Sequence, residues 1–123
     1  MRVDKSGDSD VLEKIKNQIK THSLLLYMKG TPQFPQCGFS AQVAQMLKLS
    51  RANFAFVNIL EHPDIRQTLP GYANWPTFPQ LYLNGVLIGG CDIATELYES
   101  GELHTMLEQA GVVQEQVNFV MAQ

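Results

Sequence analysis

The chain is poor in cysteine, in basic charge and in long apolar segments, and each shortage excludes a class of protein. Two cysteines among 123 residues are too few for a disulfide scaffold. The net charge of −3 lacks the excess of Lys and Arg that contacts phosphates, which argues against a nucleic-acid partner. The longest purely apolar run, Leu24 to Met28, is far too short to cross a bilayer, so no membrane role is expected.

The N-terminal sequence lacks the features of a targeting segment. Residues 1–10, MRVDKSGDSD, are polar and of mixed charge, unlike a signal peptide or an Arg-rich transit peptide. We therefore expect a protein of the reducing cytoplasm. An apolar content of 45% with 17% charged residues is typical of one globular domain.

What the sequence does contain is an alternation of apolar segments and turn signals. Residues 1–9 are interpreted as a flexible leader, residues 10–111 as the domain, and residues 112–123 as a tail of undecided conformation. Within the domain the predicted order is helix, strand, helix, strand, helix, hairpin, helix. A βαβ unit followed by a hairpin predicts an α/β fold with a mixed four-stranded sheet and helices on both faces.

Local signals place these elements along the chain. A capping box at Asp10 predicts the start of the first helix, and continuous apolar runs at 23–28 and 54–60 predict buried strands. Asn84-Gly85 predicts a type I′ hairpin, and the last helical region, 91–110, is expected to break near Gly101. The second helix is predicted to begin near Gly38, with an apolar stripe formed by Phe39, Val43, Met46 and Leu47.

Cys37 is the candidate reactive group because it directly precedes a predicted helix. The N–H groups and positive dipole end of that helix, together with a nearby Lys29, would lower the pKa of the thiol. A buried, unreactive cysteine is the alternative, although the flanking Gly and Pro residues argue against it. Ser40 occupies the position of the second thiol in a C-x-x-C motif, so an adduct on Cys37 must await an external thiol. This predicts either glutathione-dependent turnover or a role as a ligand; Ser40 is otherwise an ordinary first-turn residue.

Metal binding within one chain is disfavoured by the ligand count. Cys91, which follows two glycines and precedes Asp92 at a predicted helix start, either takes part in redox chemistry or lines a ligand groove. An iron–sulfur cluster usually needs four thiolates, and the histidines have no metal-ligand spacing. A cluster would therefore need thiolates from a second subunit, a small thiol, or both.

Five motifs occur in register along the chain: YMKGTP, CGFS, WPTFPQLY, NG and GGCDI. They make the chain similar to the monothiol glutaredoxins of the CGFS type, from about residue 12 to residue 110. The resemblance implies a thioredoxin-like fold, with a cis Pro79 facing Cys37 across a groove. It also implies that the groove binds glutathione and that two protomers share one [2Fe-2S] cluster.

The resemblance assigns roles to individual residues. Cys37 would be both the thiol nucleophile and the cluster ligand. Lys29 and Arg66 would bind the glycine carboxylate of glutathione. Without the resemblance, solvated surface charges are an equally good interpretation of both residues. Phe78 would contact glutathione through its backbone. Cys91 and Asp92 would bind the γ-glutamyl end, although Asp92 is a helix-capping residue in the alternative interpretation. Supporting residues would be Thr77, Pro79 and Gly90.

The function implied is that of a cluster carrier. A glutathione-ligated homodimer would pass its [2Fe-2S] unit to apo iron–sulfur proteins, with exchange of one protomer for a BolA-like partner. The alternative is an enzyme, a glutathione-dependent thiol–disulfide oxidoreductase that reduces protein–glutathione mixed disulfides, for which the resemblance implies weak activity. A purely structural interaction module would leave the reactive-looking thiol unexplained.

Overall fold

The fold is an α/β sandwich built around one mixed sheet. A computed structural model of the chain describes residues 5–114 and 119–122. In these ranges the elements are α1 (Lys5–Thr21), β1 (Leu24–Met28), α2 (Gly38–Leu49), β2 (Phe54–Asn58), α3 (Pro63–Ala73), β3 (Gln80–Leu83), β4 (Val86–Gly89), α4 (Cys91–Ser100), α5 (Glu102–Gln109) and β5 (Phe119–Met121).

The sheet has the strand order β4-β3-β1-β2-β5. β1 and β2 are parallel, as expected for two strands joined by a crossover helix, whereas β3 runs antiparallel to β1 and to β4. The predicted mixed sheet is confirmed, but the prediction of four strands was wrong. The additional strand, β5, comes from the C-terminal tail and pairs in parallel with β2.

The alternation of side chains along β1 divides the core into two layers. Leu24, Leu26 and Met28 face one side, where they pack with buried residues of α2, α4 and α5. Leu25 and Tyr27 face the other side and pack with residues of α1 and α3. Every residue of β1 is buried, which explains its continuous apolar sequence and confirms the prediction of helices on both faces.

Several local predictions can be compared directly with the structure. The hairpin is confirmed, since Asn84 and Gly85 both have positive φ values, 50° and 82°. The break in the last helical region is confirmed at Gly101. The predicted start of the first helix was wrong, because α1 begins at Lys5 rather than near Asp10.

The predicted inward-facing position of Phe39 was also wrong, because its side chain is 60% exposed. The other three residues of the α2 stripe are buried. The division into leader, domain and tail stays a prediction, and residues 1–4, 115–118 and 123 of that leader and tail lie outside the described residues. Among the helices of the described ranges, none is both long enough and apolar enough to span a membrane.

Phe119 packs the tail strand β5 against aromatic side chains of β2. Its ring lies 5.6 Å from the ring of Phe54 and 6.1 Å from that of Phe56. The Lys48 ammonium lies 5.6 Å from the Phe119 centroid, within the range of a cation–π contact. β5 therefore covers the outer edge of β2, which would otherwise expose unpaired backbone groups.

We expect Phe119→Ala to lower the free energy of unfolding by about 1–2 kcal/mol, less than the roughly 3–5 kcal/mol of a fully buried Phe, because Phe119 is only half-buried. Val120→Ala is the matched control: that side chain is 58% exposed and should change stability by less than about 0.5 kcal/mol. Urea denaturation measures both variants. Equal effects would show that β5 is not held by the Phe119 ring.

Candidate functional site

The relative directions of β1, β3 and β4 bring the candidate residues to one edge of the sheet. Because β3 is antiparallel to its two neighbours, its amino end meets the carboxyl ends of β1 and β4; Tyr27 is paired with Gln80, and Leu81 with Gly89. The segments that follow β1, precede β3 and follow β4 are therefore neighbours. These three segments contain most of the residues that the sequence singled out.

The loop after β1 closes on itself and returns the chain to its starting point. The Gln36 N–H donates to the Lys29 carbonyl at 2.9 Å, which places Cys37 beside Lys29. Gly30 makes this turn possible, since its φ of +94° disfavours other residues and a Cβ there would lie 2.6 Å from the Phe34 carbonyl oxygen. The loop geometry thus brings a cation next to the thiol.

Cys37 is the N-cap residue of α2 and is partly exposed, so the alternative of a buried cysteine was wrong. Its pKa is lowered below the ordinary value of 9.0, chiefly by the backbone N–H of Ser40. The N–H of Phe39, the Ser40 hydroxyl and the charge of Lys29 act in the same direction, and partial desolvation opposes them. The predicted lowering of the pKa by helix N–H groups and Lys29 is confirmed.

Ser40 does more than occupy the place of a second thiol. It is fully buried, and its hydroxyl oxygen accepts a 3.0 Å hydrogen bond from the Lys29 N–H. The hydroxyl proton is then left to favour the Cys37 thiolate, as the lowered pKa reflects. Sequence reasoning missed this role; the only signal was a serine three residues beyond a helix N-cap.

A cleft of about 580 Å³ opens at this edge of the sheet, and all nine residues singled out from the sequence line it. These are Lys29, Cys37, Arg66, Thr77, Phe78, Pro79, Gly90, Cys91 and Asp92. The Phe78–Pro79 peptide bond is cis, as the resemblance implied. Five further lining residues were not predicted as site residues, although two of them belong to the WPTFP motif: Phe39, Pro70, Trp75, Pro76 and Ile93.

The charges in the cleft come from different elements. Lys29 follows β1 and Arg66 lies on α3, whereas Asp92 lies in the first turn of α4. The N-cap of α4 is Gly90 and makes no side-chain cap hydrogen bond, so Asp92 is not the capping residue. The cleft therefore combines two cations, one carboxylate and a helix N-terminus.

Cys91 is held differently from Cys37. Its side chain is buried, and the S–H donates to the Gln42 side-chain oxygen at 3.3 Å. The Thr95 hydroxyl, which donates to the Cys91 carbonyl at 2.7 Å, lies 3.9 Å from the sulfur. Both cysteines are free thiols, but Cys37 is the partly exposed one, whereas Cys91 is buried.

This sheet, with the partly exposed thiol of Cys37 at a helix start and a cis-proline lining the same cleft, defines a thioredoxin-like protein. The family model described as Glutaredoxin matches residues 24–88. Glutaredoxin 4 of Pasteurella multocida is 55% identical over 98 residues, covering 80% of this chain and 90% of the relative. Glutaredoxin 4 of Escherichia coli K12 is 54% identical over 101 residues, covering 82% and 88%.

Among solved structures, the solution structure of reduced poplar apo GrxS14 is 50% identical with a TM-score of 0.68, covering 84% of this chain and 92% of that one. The chain belongs to the glutaredoxin family. Because Ser40 replaces the second cysteine of the motif, it is a monothiol glutaredoxin.

We expect Ser40→Ala to raise the pKa of Cys37 towards 9.0, because the hydroxyl donor is lost while the backbone N–H remains. The rate of thiol alkylation against pH measures the change. Ser50→Ala is the control, since Ser50 is a buried serine at the opposite end of α2. An unchanged alkylation profile in Ser40→Ala would refute the assignment of the hydroxyl.

The same lowered pKa has a consequence for stability. Between the folded-state pKa of Cys37 and 9.0, the unfolded thiol binds more protons than the folded one. This group therefore stabilises the fold increasingly as pH rises through that window, and its contribution is lost as pH falls through the folded-state pKa. Ser40→Ala should raise the folded-state pKa of Cys37 and thereby narrow the pH range over which this thiol stabilises the fold.

Proposed function

We propose that the protein is a glutathione-dependent carrier of [2Fe-2S] clusters. The observation that carries the proposal is a single, partly exposed, low-pKa thiol in a cleft whose charges complement a small peptide with two carboxylates. Among the described residues, no group of three or more His, Cys, Asp or Glu side chains could hold a metal. A cluster bound here would need thiolates from outside the chain.

Glutathione fits the donor set of the cleft. Its glycine carboxylate would match the two cations that line the cleft, Lys29 and Arg66. Its γ-glutamyl end carries an ammonium for the Asp92 carboxylate and a second carboxylate for the N–H groups at the start of α4, beginning at Cys91. Phe78 would offer its backbone to the extended tripeptide. The remaining wall is shaped by Thr77, Pro79 and Gly90, and the volume lies within the usual range for small-molecule sites.

The cluster is cargo in this proposal. Two Cys37 thiolates from a homodimer and two glutathione thiolates complete the four ligands that one chain lacks. Because glutathione and the second protomer are exchangeable, the cluster is released more readily than from a cage of four cysteines in one chain. Apo iron–sulfur proteins would be the recipients, and a BolA-like protein would replace one protomer.

We expect Arg66→Met to weaken glutathione binding roughly tenfold, because one charge-assisted contact to a carboxylate is lost. Isothermal titration calorimetry measures the dissociation constant. Lys20→Met removes the same charge from the end of α1, outside the residues that line the cleft, and is the control. Equal weakening in both variants would show a general charge effect instead of a site.

Anaerobic reconstitution with iron, sulfide and glutathione should give a brown dimer. We expect Cys37→Ser to remain colourless and monomeric, because the protein's own ligand is lost. Cys91→Ser should still become coloured, since the Cys91 side chain is buried and its thiol is hydrogen-bonded to Gln42. Visible absorbance and size-exclusion chromatography measure both outcomes. A colourless Cys91→Ser with a coloured Cys37→Ser would reverse the ligand assignment.

The lowered pKa and exposure of Cys37 also favour a second function, reduction of protein–glutathione mixed disulfides. The Cys37 thiolate would attack the glutathione sulfur, releasing the protein thiolate. The thiolate of a free glutathione would then attack the glutathione sulfur of the mixed disulfide, forming glutathione disulfide and releasing the Cys37 thiolate. We expect slow turnover of a glutathionylated peptide by the colourless monomer, with a pH profile that follows Cys37. Rapid turnover would make this the principal function.

A further inference from the structure

Gln80 is the first residue of β3 and lies directly behind the wall of the cleft. It is fully buried, which is costly for a primary amide unless its polar atoms are hydrogen-bonded. It follows Pro79, and the segment 75–79 before it lines the cleft. A glutamine buried at this point therefore calls for a specific set of partners.

The side chain of Gln80 is hydrogen-bonded to backbone carbonyls of the 75–79 segment. Its Nε2 group donates to the carbonyls of Trp75 at 3.0 Å and Thr77 at 3.3 Å. Its Oε1 accepts from the Tyr82 hydroxyl at 2.9 Å. Carbonyl oxygens only accept, so the amide nitrogen must face the loop and the oxygen must face Tyr82. Burial raises the pKa of Tyr82 to about 12, which keeps this hydroxyl a donor at neutral pH.

The bonded segment is also packed against the opposite wall of the cleft. A Cβ at Gly90 would lie 3.2 Å from the Pro79 carbonyl oxygen and 3.3 Å from the Trp75 Nε1 atom. The segment and the start of α4 are therefore in close contact. A shift of the Trp75–Thr77 backbone would alter the space between the walls that Phe78 and Asp92 line.

We propose that Gln80 is a positioning residue that sets the conformation of the wall formed by residues 75–79 and thereby the affinity of the cleft for glutathione. The inference rests on the proposed function for its ligand. Gln80 is given no contact with glutathione and no effect on the thiol, because its side-chain hydrogen bonds within the described residues go to Trp75, Thr77 and Tyr82.

The chain contains a matched control for this inference. Gln18 is also a buried glutamine, and its Oε1 accepts from the Tyr27 hydroxyl at 2.8 Å. The rings of Tyr27 and Tyr82 meet edge to face at 5.7 Å, so the two Gln–Tyr pairs share one core. Gln18 does not line the cleft. A purely structural role would therefore give both glutamines the same phenotype.

The test compares Gln80→Met with Gln18→Met, since Met matches the length of Gln without its polar atoms. We expect Gln80→Met to weaken glutathione binding roughly tenfold in calorimetry, with the alkylation pH profile of Cys37 unchanged. Gln18→Met should bind glutathione like the wild-type protein. Equal weakening in both variants, or none in Gln80→Met, would overturn the proposal.

A second readout does not depend on glutathione. Trp75 is the only tryptophan, so its fluorescence reports the wall in the free protein. We expect greater acrylamide quenching in Gln80→Met and unchanged quenching in Gln18→Met. Should the wild-type protein fail to bind glutathione, the proposed function fails, and the quenching alone decides whether Gln80 holds the wall.

A milder pair of variants covers the case in which Gln80→Met does not fold. Tyr82→Phe removes only the hydroxyl that orients the amide, and Tyr27→Phe removes the corresponding hydroxyl from the Gln18 pair. We expect weaker glutathione binding and greater Trp75 quenching in Tyr82→Phe alone. Identical behaviour of the two variants would refute the positioning role.

Discussion

The hydrogen bond from the Lys29 N–H to the Ser40 hydroxyl joins the carboxyl end of β1 to the first turn of α2. With the Gln36–Lys29 bond, it fixes both ends of the loop that carries the thiol. The position of the sulfur, its N–H donors and its neighbouring cation all depend on this closure. A longer or open loop would leave Cys37 at a helix start but without Lys29, and part of the lowering of its pKa would be lost.

The second half of the site depends on the direction of β3. A parallel third strand would put Pro79 at the far edge of the sheet, away from Cys37. The antiparallel hairpin instead brings the segment before β3 and the start of α4 to the same edge as the thiol. A cleft assembled from three separate segments needs each one to be held from behind, and buried polar side chains do this for two of them: Ser40 for the thiol loop and Gln80 for the wall.

Much of this arrangement could be predicted from the sequence because its signals are local. Asn84-Gly85 specifies its own turn, and Pro63 is tolerated in the first turn of a helix. The strand β5 could not be predicted, because its pairing with β2 depends on contacts of Phe119 that are distant in sequence. The helical period places Phe39 on the apolar stripe of α2, yet its exposed side chain lines the cleft. The motifs predicted the residues that line the cleft, but the hydrogen bonds of the buried Ser40 and Gln80 side chains could not be predicted from the sequence.

The lowered pKa of Cys37 and the conformation of the cleft wall depend on separate networks. The donors that lower the pKa of Cys37 come from α2 and Lys29, whereas the wall is held by Gln80 and Tyr82. The two networks share no residue, so the pKa of the thiol and the geometry of the wall can change independently. This separation suits a chain with one reactive cysteine. A lower thiol pKa also lowers intrinsic nucleophilicity, so activation alone brings limited gain. In the proposed function the external thiol must also be held in place, and the wall would contribute to this.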